Sequence, residues 1–194
     1  MSELKKTDYL VLVNGENRIP EGYEDTVELI TVENAAGNQF KVEKKTYEAY
    51  MRLQEDMLKT EGIQTVLLNS YRTIRMQEET FARVLSTHSW EYTCKYVAKP
   101  GCSEHHTGLA IDVGVLIDGK VYRTQEELFS IAHLLEIVQK KLPEYGFILR
   151  YPAGKEPITQ IGYEPWHYRY IDSPELAKEI TEKGICLEEY WQKN

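Results

Sequence analysis

Cysteine is scarce in this chain, three residues in 194, and Cys94, Cys102 and Cys186 stand at unrelated spacings. An odd number with no repeating interval argues against a disulfide framework and favours a reducing compartment. No apolar run approaches the roughly 18 residues that suggest a membrane span. The opening MSELKKTDYLVLVNGEN lacks the apolar stretch and small-residue cleavage site of a secretory leader. The expectation is a cytoplasmic chain, or one whose export segment is not part of this sequence. Positive charge is also short: a formal net charge of −8 lacks the Lys and Arg surplus with which nucleic-acid binders neutralise phosphates. Internal repeats, low-complexity segments and Gly/Ser- or Pro-rich linkers are absent from the sequence.

What is there suits one ordinary domain. With 42% hydrophobic and 28% charged residues, a chain of this length buries roughly 70% of its unfolded surface and needs no staples. Tyr9 to Val13 reads as a short strand or extended arm, followed by NGENRIPEGYEDT, dense in turn formers. From Lys44 to Thr60 the positions Tyr47, Met51, Leu53, Met57 and Leu58 suit one broad helical face, with Gly62 placed to cap it. Gln64 to Ser70 is a buried strand by its Leu and β-branched content. Helices are expected at about Thr73 to Ser86 and over the Tyr92 to Ala98 region, before Lys99-Pro100-Gly101 breaks the chain.

Gly108 to Val115 reads as a strand with Ala110 and Asp112 on one face and Leu109, Ile111 and Val113 on the other. Asp118-Gly119 predicts a tight turn into another strand. Thr124 with Glu127 is a capping-box pattern, opening a helix that runs to about Leu142 before Pro143. Phe147 to Tyr151 and Gly162 to Tyr170 read as strands, and Ser173-Pro174 as a helix start. Helices mixed with short strands, without βαβ alternation, predict an α+β fold.

Two short motifs carry chemistry. Ser103-Glu-His-His-Thr-Gly-Leu-Ala-Ile-Asp112 offers an imidazole at His105 and a carboxylate at Asp112, and Glu164-Pro-Trp-His167 offers an acid and a second imidazole. Two His nitrogens and one carboxylate oxygen are a ligand set for catalytic zinc that leaves a position open for water, with Glu164 to spare as a general base. Pro165 argues against a helical metal motif, so a bent strand end should deliver Glu164 and His167 to one site. On spacing alone a structural His–Asp hydrogen-bond pair competes with this reading. So does a C-x-x-H metal pair of Cys102 with His105. His88, His106 and His133 read as surface or structural.

The pattern S-x-H-x-x-G-x-A-x-D, here Ser103, His105, Gly108, Ala110 and Asp112, followed by E-P-W-H at Glu164 to His167, resembles the zinc D-alanyl-D-alanine carboxypeptidases and dipeptidases of the VanY, VanX and VanXY type. Ser70-Tyr-Arg-Thr-Ile-Arg-Met-Gln77, GFILRYP ending at Pro152, and LVNGENRIPEGY resemble further blocks of that family, so the likeness runs from about Leu10 to Tyr170.

The resemblance implies the α+β fold shared with the hedgehog signalling domain: a small, mostly antiparallel sheet flanked by helices. It implies a single domain over 1–194, with 1–43 as N-terminal arm and loop and 44–194 as catalytic core. Zinc would be held by His105, Asp112 and His167, with Glu164 as base and Arg72 at the developing oxyanion. Gln77 and Ser103 would donate to the substrate's terminal carboxylate, and Tyr151 and Trp166 would pack its methyl groups.

The implied substrates are peptidoglycan-precursor peptides ending in D-Ala-D-Ala, with free D-Ala-D-Ala as a second substrate and glycopeptide resistance or wall remodelling as the setting. A monomer or weak dimer is expected. L,D-carboxypeptidase action on tetrapeptides, endolysin-type endopeptidase action and a non-catalytic zinc module are the alternatives. Arg72, Gln77 and Glu164 speak against the last, because a structural zinc needs neither base nor oxyanion partner.

Overall fold

The computed structural model describes residues 7–34 and 37–193. The chain builds β1 (Leu29–Glu33), β2 (Gln39–Glu43), α1 (Lys44–Glu61), β3 (Gln64–Asn69), α2 (Ile74–Leu85) and α3 (Trp90–Tyr96). It continues with β4 (Ala110–Ile117), β5 (Lys120–Tyr122), α4 (Gln125–Ser130), α5 (Ala132–Lys141) and β6 (Phe147–Leu149). The last elements are α6 (Glu156–Thr159), β7 (His167–Tyr170), α7 (Pro174–Glu182) and α8 (Leu187–Lys193). This is the expected α+β architecture. Among the described residues no helix is long and apolar enough to cross a membrane.

The sheet is antiparallel throughout and centred on β4. β3 lies along one side of β4, while the other side pairs with β7 near its start and β5 near its end. β6 then pairs with β7. Strand β4 is long enough to accept two partners in succession, and the Asp118-Gly119 turn, with φ of 49° and 78°, returns the chain as β5. Those positive angles suit the mirror-image turn that matches strand twist. A separate hairpin, β1–β2, was not legible as strands because Leu29-Ile-Thr-Val-Glu33 lacks a clean polar alternation.

Helix α1 lies on the sheet. Glu43 caps it by accepting from Thr46 N, and Gly62 at φ 68° ends it. Its inward face is Thr46, Ala49, Tyr50, Leu53 and Met57. Met51 and Leu58, expected on that face, are exposed, because the buried stripe runs through Ala49, Tyr50, Leu53 and Met57 and leaves them to one side. The core also takes Ile111, Val113, Val115, Leu135, Val138, Phe147 and Tyr168.

Three further expectations are corrected. The helix opened by the Thr124–Glu127 capping box is broken at Ile131 into α4 and α5. No Gly or Pro marks the break, and Leu128, Ile131, Leu135 and Val138 keep helical spacing across it, so periodicity reads straight through. The strand expected from Gly162 begins only at His167, since Pro165 has no donor and His167 N closes a turn on the Glu164 carbonyl at 3.3 Å. The short strand or extended arm expected at Tyr9 to Val13 joins no sheet: Tyr9 and Leu10 lie in a turn, with Val11 N donating to the Asp8 carbonyl at 3.4 Å, and Val11 and Val13 pack with Tyr23 and Leu109.

Candidate metal centre

The site stands where three strands meet. Asp112 lies opposite Asn69 on β3 and opposite His167 on β7, so the register sets these residues side by side across the sheet. A bulge between Leu67 and Asn69 re-aims the end of β3, and Asn69 Nδ2 donates to Asp112 Oδ2 at 3.1 Å. His105 comes from a single 3₁₀ turn, Glu104–Thr107, capped by the Ser103 hydroxyl and ended by Gly108 at φ 72°. A side chain at Gly108 would meet Leu29 Cδ2 at 2.8 Å and the Glu43 backbone N at 3.3 Å, and the left-handed angle itself requires glycine. The G of the first motif is therefore structural: it folds His105 back over Asp112.

One donor atom each from His105, Asp112 and His167 lie within 4.8 Å of one another. His105 Nε2 is 3.3 Å from Asp112 Oδ2, and His167 Nδ1 is 3.0 Å from Asp112 Oδ1. His105 Nδ1–H donates to the Ser70 carbonyl at 2.8 Å, which leaves the Nε2 lone pair facing the cluster. Asp112 Oδ1 is buried without a hydrogen bond. Two imidazoles and a carboxylate with an orphaned oxygen, converging in a buried pocket, fit a single zinc ion in the donor set of a site with an open position. Cys102 is no part of the cluster.

The electrostatics agree with that fit. Burial opposes the charge of Asp112, but the two imidazoles outweigh it and hold the carboxyl well below its ordinary range. Burial, reinforced by the Arg72 guanidinium, pushes His105 down to about 4, so it is a neutral donor. Burial pulls His167 down as well, but Asp112 and Glu104 win and raise it to about 9. Burial pushes Glu164 up to about 8 against the pull of His167 and Arg72; a dication on the neighbouring donors would favour its charged form.

All nine residues singled out from the sequence line one cleft of about 640 Å³. The Glu164–His167 turn sets Glu164 Oε2 3.6 Å from His167 Nδ1. Arg72 follows β3, half-buried, with its Nε inaccessible to solvent and lacking a partner. Its backbone is pinned on both sides: Arg72 N donates to the His105 carbonyl at 3.0 Å, and His106 Nδ1 donates to the Arg72 carbonyl at 2.7 Å. Gln77 spends one amide hydrogen on the Ala98 carbonyl at 2.7 Å, leaving its second hydrogen and an unpartnered Oε1. The Ser103 hydroxyl is buried and accepts from His105 N. Tyr151 tilts against the His167 ring at 4.8 Å, and Trp166 meets Phe129 edge-on at 5.2 Å.

Sequence reading missed several residues here. Asn69 touches Asp112, Glu104 faces His167, and Arg150 and Arg169 hold Glu104 from behind, while His106, expected to be surface or structural, is structural, a buried strut joining Arg72 to Gly101 N. His88, also set aside, stands on the outer wall of the cleft, stacked on Tyr92 at 4.2 Å. His133 is exposed. A strand register placing Asn69 beside Asp112 was the one signal available for Asn69.

What the fold and cleft define is a small antiparallel α+β scaffold carrying a single-metal cluster where its strands converge. The family described as "VanY: D-alanyl-D-alanine carboxypeptidase" matches residues 39–173, and the chain belongs to it. The bifunctional D-Ala-D-Ala dipeptidase and D-Ala-D-Ala carboxypeptidase VanXYC of Enterococcus gallinarum is 40% identical over 130 residues, 64% of this chain and 64% of that protein. The vancomycin-resistance D,D-pentapeptidase VanY of a VanB-type cassette, solved in complex with Zn(II), superposes with a TM-score of 0.75 at 31% identity, covering 94% of this chain and 98% of the other. The LD-carboxypeptidase LdcB superposes at 0.80 with 34% identity, covering 95% and 86%. The chain spans about two thirds of the length of the curated relatives it matches.

Proposed function

We propose that this chain is a zinc-dependent D-alanyl-D-alanine carboxypeptidase that removes the terminal D-Ala from peptidoglycan-precursor pentapeptides, with free D-Ala-D-Ala as a second substrate. The observation that carries the reading is the convergence of three metal donors, a separate carboxylate and an unpaired guanidinium in one cleft. Membership of the VanY family supports it, as do a bifunctional relative that acts on D-Ala-D-Ala and a Zn(II)-bound neighbour.

Zinc, when bound by His105, Asp112 and His167, supplies Lewis acidity that polarises the scissile carbonyl and makes water a competent nucleophile near neutral pH. Glu164 takes the proton of the attacking water and hands it to the departing amine. Arg72 offers charge and directed donors to the carbonyl oxygen as negative charge develops there. Ser103 and the free amide hydrogen of Gln77 hold the substrate's terminal carboxylate. Tyr151 and Trp166 bound the space for its methyl groups.

One zinc per chain is expected, and metal analysis of His167→Ala should show it lost; undiminished zinc would remove His167 from the ligand set. Zinc uptake should also depend on pH. Metal and proton compete for His167 Nδ1, and the metal-free imidazole holds its proton up to about 9. Affinity should therefore rise by about tenfold or more per pH unit below that value, with at least one proton released per ion. A pH-independent affinity between pH 6 and pH 8 contradicts this.

A site built around a free carboxylate should cut a D-Ala-D-Ala-terminated pentapeptide faster than its C-terminal amide, since each charge-assisted bond lost costs about 1.5 to 3 kcal/mol. Parallel assays of the pentapeptide acid, its amide and the tetrapeptide that ends in a single D-Ala separate the readings. Equal rates on acid and amide indicate an endopeptidase. Preference for a tetrapeptide ending in D-Ala would move the chain towards the LD-carboxypeptidase activity of its neighbour LdcB.

A further inference from the structure

His167 faces the metal cluster through Nδ1. A neutral imidazole that gives its Nδ1 lone pair to a metal keeps its proton on Nε2, and that N–H needs an acceptor. Nε2 is buried and has no hydrogen bond. Facing it at 3.9 Å is Glu104 Oε2, which is likewise buried and without a hydrogen bond. Two orphaned atoms of opposite character thus look at each other, one step behind the cluster.

We propose that Glu104 is the positioning residue of His167: its carboxylate accepts the Nε2–H, fixes the tautomer and the ring plane, and thereby sets the affinity of the site for zinc. The proposal rests on the zinc reading given above. Its main support is how Glu104 is held. The other oxygen, Oε1, is shared by Arg150 Nε at 2.7 Å and Arg169 Nη1 at 2.6 Å, all three side chains being fully buried. Arg150 is forked in turn onto both oxygens of Glu188 at 2.9 and 2.7 Å, and Glu188 accepts from Asn14 Nδ2 at 3.1 Å. Arg169 Nη2 is anchored on the carbonyls of Tyr9 and Val11 at 3.1 and 2.8 Å.

This arrangement serves more than packing. Anchoring the two guanidiniums uses Oε1 alone. A carboxylate required only for that purpose would leave Oε2 buried and unpaired, a desolvation penalty with nothing to offset it. The pinned carboxylate cannot swing away to find water, so Oε2 stays aimed at the imidazole. The other imidazole is treated alike, since His105 Nδ1 is tied to the Ser70 carbonyl. One short turn therefore supplies a ligand, His105, and through its neighbour Glu104 the orienting partner of the second ligand. A negatively charged acceptor also makes the imidazole more basic, which strengthens its bond to a cation.

The test is zinc affinity, measured on the full chain by competition with a chelator, for the parent, Glu104→Gln and Glu188→Gln. In Glu104→Gln the single amide oxygen goes to the two guanidiniums, His167 loses its acceptor, and zinc should bind about 10- to 100-fold more weakly. Glu188→Gln loosens the same ionic network on its far side, so its Tm should fall while its zinc affinity stays that of the parent. Parent-like affinity in Glu104→Gln overturns the proposal, and so do equal losses in both variants, which would mark general loosening.

A parent chain that binds no zinc overturns the zinc reading itself. Should Glu104→Gln fail to fold, nitrogen-15 NMR of the zinc-loaded parent decides. His167 should carry its proton on Nε2, at low field and slow to exchange with water. A proton on Nδ1, or one exchanging as freely as a solvated imidazole, overturns the assignment.

Discussion

Glu164→Gln is expected to keep its zinc and lose turnover by about 10²-fold or more, the scale of a lost general base. Gln has nearly the shape of Glu, and the donors of His105, Asp112 and His167 are untouched, so metal analysis should read as in the parent. What disappears is the proton acceptor 3.6 Å from His167 Nδ1. The pH profile gives a second readout. Glu164 acts only when ionised, so parent activity should climb with pH as the carboxyl loses its proton. Without the metal, burial holds that group at about 8 against the pull of His167 and Arg72, and a neighbouring dication favours the ionised form, so the rise should lie below pH 8. Glu164→Gln should lack this rise. Hydrolysis at the parent rate, with zinc in place, would exclude Glu164 as the base and leave its burial unexplained.

The ease with which different parts of this molecule can be read from its sequence follows the range over which their residues act. His105 with Asp112, and Glu164 with His167, form two motifs each short enough for local chemistry to show, although it is the pairing of β4 with β7, Asp112 opposite His167, that brings the two together. Gly62, the Asp118-Gly119 turn and the Thr124–Glu127 capping box are legible for the same reason: each answers a local backbone requirement. Glu104 is different. Its partners Arg150 and Arg169 lie 46 and 65 residues away, and a Glu beside a His gives no hint that it will be fully buried.

Residues that are apolar but not buried mislead in the opposite direction. Met51 and Leu58 lie within the helix predicted around them, yet the sheet meets the stripe through Ala49 and Tyr50. The break at Ile131 is invisible to periodicity because the inward face continues across it. The turn at Glu164 was half legible: Pro165 excluded a helix, but a strand and a turn both satisfy that exclusion, and the hydrogen bond from His167 N to the Glu164 carbonyl selects the turn.

Arg72→Lys should lower kcat by about 10²- to 10³-fold with little change in KM, the scale of a lost oxyanion donor. Lys keeps the charge and loses the planar fork of donors, so the comparison isolates geometry from charge. The structure shows why a flexible ammonium cannot substitute. Arg72 is half-buried just beyond the end of β3, its backbone fixed by the His105 carbonyl on one side and His106 Nδ1 on the other. Its Nε has no partner within the protein. Burial works against its charge while Asp112 and Glu164 support it, so the same carboxylates that serve the reaction help to keep the guanidinium charged. A group so placed is costly unless something in the cleft uses its donors, and the carbonyl oxygen acquires its full charge only at the transition state. The loss should therefore fall on kcat. A change confined to KM would make Arg72 a ground-state ligand for the substrate, and a Tm far below the parent's would show that the substitution had disturbed the fold before it reached the chemistry.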